Sequence, residues 1–120
     1  MSPYLDTTEA AGLAGTSPRT MLRRVEMYQV PALRLNGTLI RIEAIALDPT
    51  APPPIPAVVP IEITIPWLAE LWRVDGETLQ QLARRGALPM FRRGGNGAWV
   101  MRRSRFYRFV VENTHGEGGW

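Results

Sequence analysis

The chain has 120 residues, 45% of them hydrophobic, with a net charge of +3 and no cysteine. That length suits one ordinary domain or two very small ones, and the apolar fraction argues against wholesale disorder. Disulfides and thiolate metal sites are excluded; no apolar run approaches the roughly 20 residues of a membrane helix, and no basic-then-apolar leader follows Met1, so a cytoplasmic location is expected.

The first half opens with Asp6-Thr7-Thr8-Glu9, a capping-box arrangement that predicts a short helix with Ala10, Ala11, Leu13 and Ala14 facing inward. Gly15 should end it, and Ser17-Pro18 should start the next as N-cap and first helical residue. Met21, Val25 and Tyr28 recur at helical spacing on one face, with Arg19, Arg23 and Glu26 on another. Pro31 stops this helix. Residues 32–43 then alternate around Asn36-Gly37, a hairpin signal, and residues 43–47 suit a short closing helix.

Between Asp48 and Pro60 lie six prolines, which predict an extended, semi-rigid linker over residues 49–60. Beyond it Ile61, Ile63 and Ile65 alternate as a short strand. Pro66 opens a helix carrying Leu68, Ala69, Leu71 and Trp72. Asp75 caps another, with Leu79, Leu82 and Ala83 inward and Gly86 as its stop. A hairpin over 89–102 turns at Gly94-Gly95-Asn96-Gly97. A last helix, about 103–112, buries Phe106, Phe109 and Val110, and residues 113–120 read as a flexible tail.

The halves repeat. Shifted by 58 positions, the second aligns with the first without a gap from residue 7 to 37, with Ala11 on Ala69, Leu13 on Leu71, Thr20 on Thr78, Pro31 on Pro89, Arg34 on Arg92 and Gly37 on Gly95. The expected architecture is mainly α with small β-hairpin wings: two tandem winged helix-turn-helix modules, 1–48 and 61–112.

Charge points to a partner. All 14 basic residues are arginine, and eight of them fall between Arg84 and Arg108 with no acid among them. A one-sign block is usually a solvated face, and all-arginine usage also fits GC-rich coding or heat adaptation. Here the block is interleaved with Phe91, Trp99, Phe106 and Tyr107, which favours a polyanion surface. In a winged helix-turn-helix the second helix enters a major groove and the wing meets backbone or minor groove. The candidate DNA contacts are therefore Ser17, Arg19, Thr20, Arg23 and Arg24 on the first reading helix, with Arg34 and Arg41 on its wing. In the second half they are Thr78, Gln81, Arg84 and Arg85 on the helix, Arg92 and Arg93 on the wing, and Arg102, Arg103 and Arg105 after it. Trp67, Trp72 and Trp99 read as core anchors rather than stacking platforms.

Thr7-Thr8-Glu9-Ala10-Ala11, Ser17-Pro18-Arg19-Thr20 and Pro31-Ala32-Leu33-Arg34 resemble the MerR-like winged helix of the excisionase family. Arg85-Gly86-Ala87-Leu88-Pro89 followed by Arg92 has the same look. The resemblance covers nearly all of residues 4–48 and 62–112. It implies binding of double-stranded DNA, regulatory or architectural, with homo-oligomers on the DNA allowed. Two departures stand out. Tyr28 sits where a helix-ending glycine is usual, so its turn should be built differently, and Gln80-Gln81 stand where the family tends to carry arginines.

Catalysis is not expected. His115 is the single histidine, no carboxylate pair has an acid–base spacing, and the glycine-rich turn lacks the lysine of a phosphate-cradling loop. No cofactor or metal is called for. The alternative to DNA binding is a protein-interaction adaptor, such as a phage assembly or partition accessory, using the same fold.

Overall fold

The computed structural model describes residues 1–95 and 97–116. The chain divides into two units, residues 1–56 with 113–120, and residues 57–112. In the first unit, β1 (Tyr4–Leu5) leads into α1 (Thr7–Ala14) and α2 (Pro18–Glu26), followed by the hairpin β2 (Ala32–Arg34) and β3 (Ile40–Glu43) and a 3-10 turn at Ala44–Ala46. The second unit has β4 (Glu62–Thr64), α3 (Ile65–Trp72), α4 (Gly76–Arg84), β5 (Phe91–Arg92), β6 (Trp99–Arg102) and α5 (Arg103–Asn113). A last strand, β7 (Thr114–His115), belongs to the first unit.

The expectation of a mainly helical fold with small wings is overturned. Among the described residues, five α-helices and the 3-10 turn give 42% helix and seven strands give 17% strand, arranged as an α+β fold with two antiparallel sheets. The first hairpin is the middle of a sheet ordered β1-β3-β2-β7, and the second makes up the central and one edge strand of a sheet ordered β4-β6-β5. The strands that convert hairpin to sheet are two or three residues long, and alternation marked only β4 among them. Two of them escaped the sequence: β1, and β7 in the supposed tail. Residues 117–120 of that tail lie outside the described residues, as does Asn96 of the second turn.

The caps are local and form as their residues dictate. Asp6 Oδ1 accepts from the Glu9 N–H at 2.7 Å, and Glu9 Oε1 accepts from the Asp6 N–H at 3.0 Å. Ser17 Oγ accepts from the Thr20 N–H at 3.1 Å, with Pro18 as the first helical residue. Thr64, rather than Pro66, marks the start of α3 and accepts from the Trp67 N–H at 3.4 Å.

Packing corrects several inward assignments. The core of the first unit joins Leu5, Ala10, Ala11, Met21, Val25, Ile40 and Ile42. Leu13 is exposed, and so is Tyr28, whose backbone turns left-handed at φ 57° and leaves the helical face. In the second unit Ile63 is buried but Ile61, which precedes the paired strand, is exposed. Trp72 stacks near Phe106 and Phe109, with ring centroids 6.3 and 5.8 Å away. The proline-rich segment starts in a turn held by Asp48, whose Oδ1 accepts from the Thr50 N–H at 3.0 Å. Ala51 joins the first core and Val59 is buried in the second unit.

One polar pair sits deep in the first unit. Tyr4 and Glu43 face each other across β1 and β3, both buried, Glu43 to 1% exposure. Burial pushes the Glu43 carboxyl up to about 7, and burial, then the Glu43 charge, raises the Tyr4 hydroxyl above the usual phenol range.

Candidate nucleic-acid interface

The second unit carries the better-formed site. Leu79, Leu82 and Ala83 pin α4 to the core, which leaves Glu77, Gln80, Gln81 and Arg84 on the opposite face. That face forms one wall of a groove of about 790 Å³. The hairpin supplies the other wall through Arg92, Ala98 and Trp99, and the start of α3 closes one end through Thr64 and Pro66. Arg92 holds its guanidinium 4.9 Å from the centroid of the Trp99 ring. This cation–π contact fixes the direction of a long side chain before any ligand arrives. Trp99 is therefore only half buried and serves as a platform for Arg92, unlike Trp72, which is pure core.

The first unit repeats the helix with different chemistry. Met21 and Val25 are buried, and the 58-residue shift places Arg19, Leu22, Arg23 and Glu26 where α4 has Glu77, Gln80, Gln81 and Arg84. Arg19, Arg23 and Arg24 are exposed. Ser17 and Thr20 bond to each other, Oγ to Oγ1 at 3.0 Å, so both expected contacts have a local structural job. Arg34, the counterpart of Arg92, is half buried in β2, and Arg41 Nη1 donates to the Ile40 carbonyl at 2.9 Å.

The remaining arginines do not form a single surface. Arg93 is ion-paired with Glu62 on the outer face of the second sheet. Arg103 Nη1 donates to the Val59 carbonyl at 3.2 Å and so ties α5 to the segment before β4. Arg102 and Arg105 line a separate hollow with Pro89, Met90 and Phe91. Thr78 is half buried and Arg85 is the exposed C-cap of α4. Sequence reasoning missed Gln80, Glu77 and the Trp99 platform as groove residues. The i, i+3, i+4 spacing of Glu77, Gln80, Gln81 and Arg84 was the signal for the first two.

Among the described residues no three His, Asp or Glu side chains cluster as metal ligands would, and no helix is long and apolar enough to cross a membrane. Compared with models of known protein families, with curated proteins and with solved structures, the chain finds no match in any of the three. A functional reading therefore rests on the chain's own residues.

Proposed function

We propose that the chain binds double-stranded DNA through its two α+β units, with α2 and α4 as reading helices and the β2–β3 and β5–β6 hairpins on the backbone or minor groove. The observation that carries this reading is the groove in which the outward face of α4 meets Arg92 of the wing. A helix cylinder is about 10–12 Å across with its side chains, which matches the roughly 12 Å width of the major groove. With α4 in that groove, the phosphate backbone beside it passes between helix and wing, where Arg84 and Arg92 wait. Neutralising those phosphates releases counterions, which supplies the sequence-independent part of the affinity.

The two helices offer different base chemistry. Arg19 and Arg23 stand four apart and present guanidinium forks suited to guanine O6 and N7. Gln80 and Gln81 suit adenine N6 and N7. The short motifs that resemble the MerR-like winged helix fit the same reading, as a regulatory or architectural protein of the cytoplasm. The decisive measurement is fluorescence anisotropy of a labelled duplex over a salt series. About six phosphate contacts give a log–log slope near −5. Binding that ignores salt removes the mechanism and leaves the adaptor reading.

A further inference from the structure

The two sheets differ at one edge. In the first, β2 has β3 on one side and β7 on the other. The 58-residue shift carries β1 and β2 onto β4 and β5, and a shift of 59 carries β3 onto β6; among the described residues β7 has no counterpart, so the second sheet ends at β5. Strand β7 lies opposite Ala32 and Leu33, pairing Ala32 with His115 and Leu33 with Thr114. The counterparts of Ala32 and Leu33 are Met90 and Phe91. There a hollow of about 470 Å³ opens, lined by Pro89, Met90 and Phe91 on one side and Arg102 and Arg105 on the other. Leu33 is fully buried, whereas Phe91 is 43% exposed.

At this edge the Met90 N–H already donates to the Leu88 carbonyl at 2.8 Å, which leaves the Arg92 amide for pairing. The Arg93 N–H donates to the Ala98 carbonyl at 3.3 Å, and Phe91 stands opposite Val100. Antiparallel alternation then turns the Arg92 N–H away from β6, toward the open side. We infer that β5 receives an added strand from a partner protein, an extended segment bearing acidic side chains. The chain already shows the geometry on its own β2 edge, where a two-residue strand adds antiparallel. Charge selects the occupant. A second copy meeting β5 to β5 would bring Arg92, Arg102 and Arg105 of both copies to one seam, which like charge disfavours. An acidic strand instead gains Arg102 and Arg105 across the hollow, while its backbone supplies the hydrogen bonds that give such additions their affinity. The hollow shares no lining residue with the α4 groove, so this proposal does not depend on DNA binding.

The test uses the full chain and a fluorescein-labelled peptide of alternating valine and glutamate. A second peptide of the same sequence has every other amide N-methylated. The plain peptide should bind saturably and slow hydrogen exchange at the Arg92 amide, and N-methylation should weaken binding about tenfold or more through lost hydrogen bonds. Arg102→Glu with Arg105→Glu should weaken it to a similar degree. If that variant fails to fold, the two peptides on the unaltered chain still decide. Equal binding of both peptides overturns the proposal, because charge attraction alone would explain it. Protection that falls away from Arg92 overturns it as well. A short DNA duplex that displaces the peptide and loses its own binding in the Arg102→Glu, Arg105→Glu chain assigns the hollow to phosphate and also overturns it.

Discussion

Tyr28 and Gly86 occupy the same place in the two repeats and share the same left-handed backbone, at φ 57° and 77°. Both close their helix with the same pair of bonds. The Tyr28 N–H donates to Val25 at 3.0 Å and the Gln29 N–H to Arg24 at 2.9 Å; the Gly86 N–H donates to Ala83 at 3.1 Å and the Ala87 N–H to Leu82 at 2.9 Å. This is the Schellman pattern, which satisfies carbonyls the helix end leaves unpaired. The expectation that Tyr28 forces a differently built turn is therefore corrected: the turn is kept, and tyrosine bears the cost of the left-handed region.

The cost is measurable by comparing small residues. Within a helix alanine outlasts glycine, but at Tyr28 the order should reverse, with Tyr28→Gly more stable than Tyr28→Ala by about 1 kcal/mol. Both lose the edge contact of the Tyr28 ring with His115, so their difference isolates the backbone. Gly86→Ala should destabilise by about 1 kcal/mol, although nothing beyond its chain neighbours lies within 4 Å of the added carbon. Urea unfolding of the three variants checks this, and an alanine that matches glycine at both places refutes it.

Glu43 makes the first unit sensitive to pH. Its folded carboxyl titrates near 7, above the ordinary value of 4.5, so the folded state holds the proton more tightly. Its relative contribution to stability is full below pH 4.5 and is lost as pH rises through 7. The loss is on the order of 3 kcal/mol for a group this buried. Unfolding midpoints should fall between pH 5 and pH 8, and Glu43→Gln should flatten the fall. An unchanged slope in Glu43→Gln would place the titration elsewhere.

Strand β7 should be needed to complete the first sheet. His115→Pro removes the backbone donor that faces Ala32 and fixes φ in a two-residue strand. Hydrogen exchange should then speed up along β2, at Ala32 to Arg34, while α4 keeps its protection. Unchanged exchange in β2 would show that its edge is stable without a partner.

How much of this was legible follows from the range of each signal. The helices read out because Asp6 with Glu9, and Ser17 with Pro18, act within four residues of each other. The repeat read out because its offset never slips over the helix-turn-helix. The sheets did not, since Tyr4 finds Glu43 and Leu33 finds Thr114 only after the chain has folded back over tens of residues. The site was half legible. Arg84 and Arg92 were chosen by charge, but charge alone could not separate them from Arg93, which pairs with Glu62, or Arg103, which ties down Val59.

The last prediction bears on base reading. Arg23 and Gln81 are equivalent under the 58-residue shift, each at the same position of its reading helix. If that position touches a base edge, its side chain decides which base is preferred there. Arginine selects guanine through two donors to O6 and N7, and glutamine selects adenine through one donor and one acceptor. Arg23→Gln should therefore do more than weaken binding: it should move one position of the preferred site from guanine toward adenine. A good bidentate contact discriminates by about 1–3 kcal/mol, so enrichment should change by roughly five-fold to over a hundred-fold. Arg92→Ala serves as the contrast. Its guanidinium leans on Trp99 beside the groove, and as a phosphate contact its loss should weaken all sequences alike and make the salt slope shallower by about 1. Selection from a randomised duplex pool, run for the unaltered chain and both variants, reads the two effects together. Uniform weakening by Arg23→Gln, or a changed base preference in Arg92→Ala, would mean that helix and wing have been given each other's roles.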